Sequence, residues 1–304
     1  RVVSANAYLG ARPIADALAL GADIVVTGRV ADASLTVGPA AHHFAWNWDD
    51  AHRLGFATVA GHLIECGAQA TGGLYTRWQD VPDLANVGYP LVEMAADGTF
   101  VLTKPEGSGG LVNQATVAEQ LLYEIGDPTA YLTPDVVADF TKVRLEDAGP
   151  NRVRIAEAGG RPATETYKVS LAYRSGFAAS GTLVIAGPEA SAKAERAGAM
   201  LLERLRRIGS IPERHRVERL GTGDVTPGVL AEFDPPEVVL RVAVHDGKRE
   251  VVERFTKEFA PLVTSGPPGV TGYTTGRPSV REVFAYWPTL ISKERVTPRV
   301  AMLP

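Results

Sequence analysis

The hydrophobic pattern changes its period near Asn151, and this change constrains the fold more than any other feature of the chain. Before it, apolar residues gather in short continuous runs between helix-like stretches. After it, they alternate with polar residues. Residues 1–7 read as a strand, and Pro13 opens a helical stretch that Gly21 stops. Residues 22–27 are a continuous apolar run of the kind found in buried parallel strands. Strand, helix and strand joined by short loops predict a βαβ unit. A helix is predicted from Ala33 to about Phe44, with Asp32 as its N-cap. Another follows Asp49 and Asp50 and reaches about Ala68. Residues 71–110 are rich in loop formers, with a strand at 100–103, and a further helix is predicted over 116–125.

Beyond Asn151, residues 152–155, 166–173 and 181–185 alternate as half-exposed antiparallel strands do. Residues 188–208 form an amphipathic helical pattern, as do residues 248–262, and further strands are predicted at 217–220 and 238–245. The expected fold is α/β: a sheet containing a parallel βαβ unit, followed by a two-layer α+β subdomain of mostly antiparallel strands with both helices on one face. The expected divisions are an α/β domain over 1–150, the α+β subdomain over 151–264, and a Gly/Pro-rich tail over 265–304 that packs back on the body. The chain opens inside a strand at Arg1 without a methionine. The expectation drawn from this is a preceding N-terminal stretch, and a bare edge covered by a partner chain or a second copy.

Composition excludes several classes. With 31 Lys and Arg against 35 Asp and Glu, no global positive field gathers nucleic acid. A 45% hydrophobic content at a net charge of -4 excludes disorder. The single cysteine excludes an internal disulfide and a cysteine-based zinc site, and it agrees with a reducing, cytoplasmic location. No apolar run approaches the roughly 20 residues of a membrane span.

Three segments could carry chemistry. In Gly28-Arg29-Val30-Ala31-Asp32-Ala33-Ser34, a helix N-terminus and the Arg29 guanidinium could hold a carboxylate or phosphate. The plainer reading is a cap and its ion pair. In Gly61-His62-Leu63-Ile64-Glu65-Cys66, one helical turn brings His62 beside Glu65 and Cys66. Glu65 could move a proton, Cys66 could be a nucleophile activated by His62, or His62 and Glu65 could ligate a divalent metal with Asp32 as a third ligand. The plainer reading is a buried helix with an internal His–Glu pair and an inert thiol. Gly72 and Gly73 close this segment and suit a close backbone approach to a ligand. The loop over 265–278 offers Tyr273 and Arg277 as further ligand contacts, or else is a rigid structural loop.

These segments, together with Asn6-Ala7-Tyr8-Leu9-Gly10-Ala11, Asp83 to Pro90, Gln120 to Pro128 and Ser265-Gly266-Pro267-Pro268-Gly269, resemble the acyclic terpene utilisation AtuA family over essentially the whole chain. The resemblance implies a part in breaking down acyclic terpenoids such as citronellol and geraniol as acyl-CoA thioesters, alongside biotin-dependent acyl-CoA carboxylases. It implies no catalytic residue. The expected function is an enzyme of terpenoid or branched acyl-CoA catabolism, of hydratase, lyase or isomerase type, working by proton transfer next to the thioester. Glu65, Asp32 and His62 would be catalytic, and Arg29, Ser34, Gly72, Gly73, Tyr273 and Arg277 would bind substrate. The competing expectation is a non-catalytic scaffold or acyl-CoA-binding subunit of a carboxylase. No cofactor is expected beyond the CoA thioester substrate, with a divalent metal left open. A homo-oligomer or partner chain is expected, without nucleic acid or membrane.

Overall fold

The computed structural model describes residues 2–229 and 233–303, so Arg1 lies outside the described residues. In chain order the elements are β1 (Val2–Ala7), α1 (Arg12–Ala19), α2 (Ser34–His43), α3 (Ala51–Glu65), β2 (Leu91–Met94), β3 (Phe100–Thr103), α4 (Gln114–Leu122), β4 (Tyr131–Leu132), β5 (Val136–Asp147), β6 (Val153–Pro162) and β7 (Thr166–Ala186). Then come α5 (Ala190–Arg207), β8 (Arg214–Leu220), β9 (Glu237–Asp246), α6 (Arg249–Thr256), α7 (Phe259–Ser265) and β10 (Arg281–Ser292). The chain divides into two compact units. The central unit takes the described residues up to Ser4 and within 171–287, and the N-terminal unit takes 5–170 and the described residues from 288.

In the N-terminal unit, one sheet runs in the order β2–β3–β6–β5–β4, and every ladder in it is antiparallel. Helix α3 packs on β5 and β6 and is buried nearly all round from Leu54 to Leu63. Its N-terminus is held by the Asp50 carboxylate, which accepts from the Arg53 amide. Two α3 glycines let backbone come close. A Cβ on Gly55 would lie 2.7 Å from the Gly159 carbonyl oxygen, and one on Gly61 would lie 2.6 Å from Ala33 Cα. Phe56, Val59 and Leu63 fill the space over Phe100, Leu102, Phe140 and Ile155. Each such side chain stabilises the unit by about 1.5–3 kcal/mol through burial.

In the central unit, β9 pairs antiparallel with both β7 and β8. The wider sheet has the order β1–β7–β9–β8, with β10 also on β7. Val238, Leu240, Val242 and Val244 of β9 alternate inward as period two requires. Residues of α5, α6 and α7 join them in a single core. Gly181 leaves room for the Phe259 ring, which a Cβ there would approach to 2.4 Å.

The expected parallel βαβ unit is overturned. Residues 22–27 form no strand, and Ile24 and Val26 are 83% and 91% exposed. Between residues 2 and 30, parallel pairing is confined to one bridge, Leu9 with Val30, where the Leu9 amide donates to the Arg29 carbonyl. The physical reason is that an apolar run reports burial potential but neither a partner strand nor its direction. With every ladder of defined register antiparallel, the molecule is mixed α/β built on antiparallel sheets. Three local boundaries also differ. Asp32 makes no cap bond, because α2 starts at Ser34 with Ala33 at its N-cap position. Helix α3 ends at Glu65 and gives way to a 3₁₀ turn over Gly67–Thr71. The helix expected over 248–262 is two helices, α6 and α7.

Candidate active site

Glu65 is the last residue of α3, one turn beyond His62. His62 is only 1% exposed. Its Nε2 lies 2.9 Å from the backbone oxygen of Gln120, and the Gln120 side-chain amide donates to the His62 backbone oxygen at 2.9 Å. A carbonyl only accepts, so Nε2 carries a hydrogen and the hydrogen-bond pattern assigns the tautomer. The ring lies against Tyr131 and Phe140, with centroids 5.7 and 5.2 Å away. Its other nitrogen, Nδ1, faces Glu65 Oε1 at 3.2 Å, an ion-pair distance without hydrogen-bond alignment. Glu65 Oε2 is buried and has no hydrogen-bond partner. On a neutral ring both facing atoms are acceptors, and their approach is repulsive unless the pair holds one further proton.

Glu65 opens onto a cavity of about 440 Å³ whose walls also include Asp32, Gly61, Ile64, Cys66 and Glu124, and His62 does not line it. The contact of Gly61 with Ala33 brings the loop bearing Asp32 to the end of α3. Arg29 does not line this cavity. It pairs with Asp32, Nη1 to Oδ1 at 3.2 Å, and its guanidinium lies 4.4 Å from the centroid of the Tyr8 ring. Burial pushes the Cys66 thiol up, opposed by a hydrogen bond with Gln120, and Glu65, Glu124 and Asp32 push it further. That is the reverse of what thiolate nucleophilicity needs. Burial also raises the Tyr131 phenol well above its usual range, helped by Glu65 and Asp32, so the phenol stays protonated. Among the described residues, no group of three or more His, Cys, Asp and Glu side chains is arranged to hold a metal ion.

The remaining residues singled out from the sequence lie elsewhere. Ser34 is buried and its hydroxyl donates to Asp135 Oδ2 at 3.3 Å. The same carboxylate takes the Ala11 amide on both oxygens at 2.9 Å, holding the start of α1. Gly72, at φ 106°, ends the 3₁₀ turn and sits against Val81, while Gly73 sits against the Ala68 carbonyl. Neither lines the Glu65 cavity. Tyr273 and Arg277 belong to the central unit, where Tyr273 packs on the core and Arg277 is exposed. Sequence reasoning missed Gln120 and Tyr131. Gln120 left one signal, a polar residue beside Val117 and Leu121 on the inward face of α4. Tyr131 left none, because its two-residue strand is too short to show a period.

The fold is thus that of a mixed α/β protein with a buried histidine behind a half-buried glutamate that lines a cavity. The family model of the acyclic terpene utilisation proteins, AtuA, matches residues 1–302, and the chain belongs to that family. This gives it a role in acyclic terpene utilisation. No curated protein and no solved structure matches the chain. No helix among the described residues is long and apolar enough to cross a membrane.

Proposed function

We infer that the protein is an enzyme acting on the acyl-CoA thioester of an acyclic, branched terpenoid acid, by moving a proton at the carbon next to the thioester carbonyl. The observation that carries this reading is the His62–Glu65 pair, whose buried Oε2 has no partner and whose cavity also holds Asp32. A carboxylate withdrawn from water and backed by an imidazole suits general acid–base work. Glu65 takes the proton from carbon, and His62 shares it through Nδ1. Gln120 keeps the ring oriented through the Nε2 bond. Asp32 lines the same cavity and is held in place by Arg29, which lies outside it. The same chemistry serves a hydratase, a lyase or an isomerase.

A cytoplasmic setting belongs to the same reading. So does a homo-oligomer or partner chain covering the exposed Val2 and Val3 of the N-terminal edge. The test is incubation of the purified protein with citronellyl-CoA and geranyl-CoA in D₂O, followed by mass spectrometry. Deuterium gained at carbon, or a hydrated, cleaved or isomerised product, supports the reading. Unchanged thioesters with no label, in a protein that binds them, would replace it with a non-catalytic acyl-CoA-binding subunit.

A further inference from the structure

A second cavity, of about 550 Å³, lies in the N-terminal unit and shares Asp32 with the Glu65 cavity. It is the size of an ordinary small-molecule site. Its apolar walls come from Tyr8, Tyr131, Leu132, Pro134 and Leu290. Leu132 and Leu290 are 65% and 69% exposed, so large aliphatic side chains face an open space that none of the described residues fills. The Tyr131 ring also packs on His62, the neighbour of Glu65.

The charges around the cavity are unbalanced. Asp32 is already neutralised by Arg29. Lys168 lines the cavity and makes no ion pair among the described residues, and its ammonium sits 5.0 Å from the centroid of the Tyr8 ring. The same ring carries Arg29 at 4.4 Å. Two cations gathered on one aromatic ring, with one carboxylate between them, leave an excess positive charge at the edge of an apolar space. An aliphatic chain with an anionic group at one end complements both features.

We propose that this cavity binds the aliphatic chain of an acyl ligand, with an anionic group of that ligand held by Lys168. The anion is either the carboxylate of a free acid or a phosphate of a CoA thioester. The inference rests on the proton-transfer reading only in placing the reacting carbon past Asp32, toward Glu65. Chain binding itself stands apart from turnover.

The test is calorimetric binding of the purified full chain to two ligand series. One is the straight-chain acids from butanoate to hexadecanoate, and the other is their CoA thioesters. Affinity rises roughly 3- to 4-fold per added methylene until the cavity is full, then levels. Leu290→Asn and Leu132→Asn, both at exposed positions and checked by melting temperature, flatten that rise. Lys168→Gln weakens binding about 5- to 10-fold. Weakening in the acid series assigns the carboxylate, and weakening in the thioester series assigns a phosphate. Affinity independent of chain length, or unmoved by both leucine variants, overturns the proposal. So does Lys168→Gln binding both series as tightly as the wild type. Chain-length-dependent binding without turnover removes the catalytic reading and leaves this inference standing. Turnover of a terpenoid thioester without any chain-length dependence does the opposite.

Discussion

Gly61 of α3 lies against Ala33 so closely that a Cβ on Gly61 would sit 2.6 Å from Ala33 Cα and 2.9 Å from its carbonyl oxygen. The two backbones therefore touch because one residue has no side chain. This contact sets the Asp32 loop beside Glu65, and no flexible side chain is available there to give way. The expected outcome for Gly61→Val is a loss of about 1–3 kcal/mol by overpacking. Activity should fall further than stability, because Asp32 and Glu65 would move apart. Urea denaturation beside a turnover assay checks this. A variant as stable and active as the wild type would show that the contact is not needed.

Asp135 joins α1 to the rest of the N-terminal unit. Burial raises its carboxyl above the usual carboxylate range, against the opposing pull of the Ala11 amide, the Ser34 hydroxyl and Lys293. A raised folded value means that the folded state holds the proton more tightly than the unfolded chain. Its contribution to stability is therefore full below the ordinary carboxylate pKa, about 4, and declines as pH rises through the raised value. Asp135→Asn removes that decline. Denaturation curves between pH 4 and 7 should show the wild type losing stability relative to the variant as pH rises. A gap that moves the other way would mean that the ionised carboxylate is favoured in the fold.

Asp224 in the central unit behaves oppositely. The Arg219 guanidinium holds its carboxyl down to about 2, helped by the Arg219 amide and Thr222. Stability from this pair is present above the ordinary carboxylate pKa and is lost as pH falls through about 2. Asp224→Asn should cost on the order of 2 kcal/mol at neutral pH. The difference should shrink steadily in urea titrations at lower pH. A constant difference across pH would assign the loss to packing rather than to the charge pair.

The sequence made parts of this arrangement readable and hid others. One-turn spacing on a helix brings His62 beside Glu65, and they are 3.2 Å apart. Alternation shows which side of a strand is buried, and β9 follows it residue by residue. The run over 22–27 misled because apolar continuity carries no information about a partner strand, and its Ile24 and Val26 stand in solvent. Asp32 looked like a cap because caps are recognised by residue type, yet its carboxylate pairs with Arg29. Gln120 meets His62, and Tyr131 and Lys168 meet at the second cavity, from segments far along the chain, and no local pattern announces such meetings. Gly61 was readable as a small residue, but not as the contact that sets the geometry.

Glu65 is the group proposed to move the proton, and the most direct measurement is the rate of Glu65→Gln against the wild type. The assay is turnover, or deuterium uptake at the carbon beside the thioester, with the better of the two terpenoid thioesters. Thioester affinity and melting temperature are measured on the same samples. Glutamine keeps the size and polarity of the side chain but cannot accept the proton. The expected result is a fall of about 10²–10⁴-fold in rate, with affinity and melting temperature nearly unchanged. A Glu65→Gln protein that turns over as fast as the wild type would contradict it.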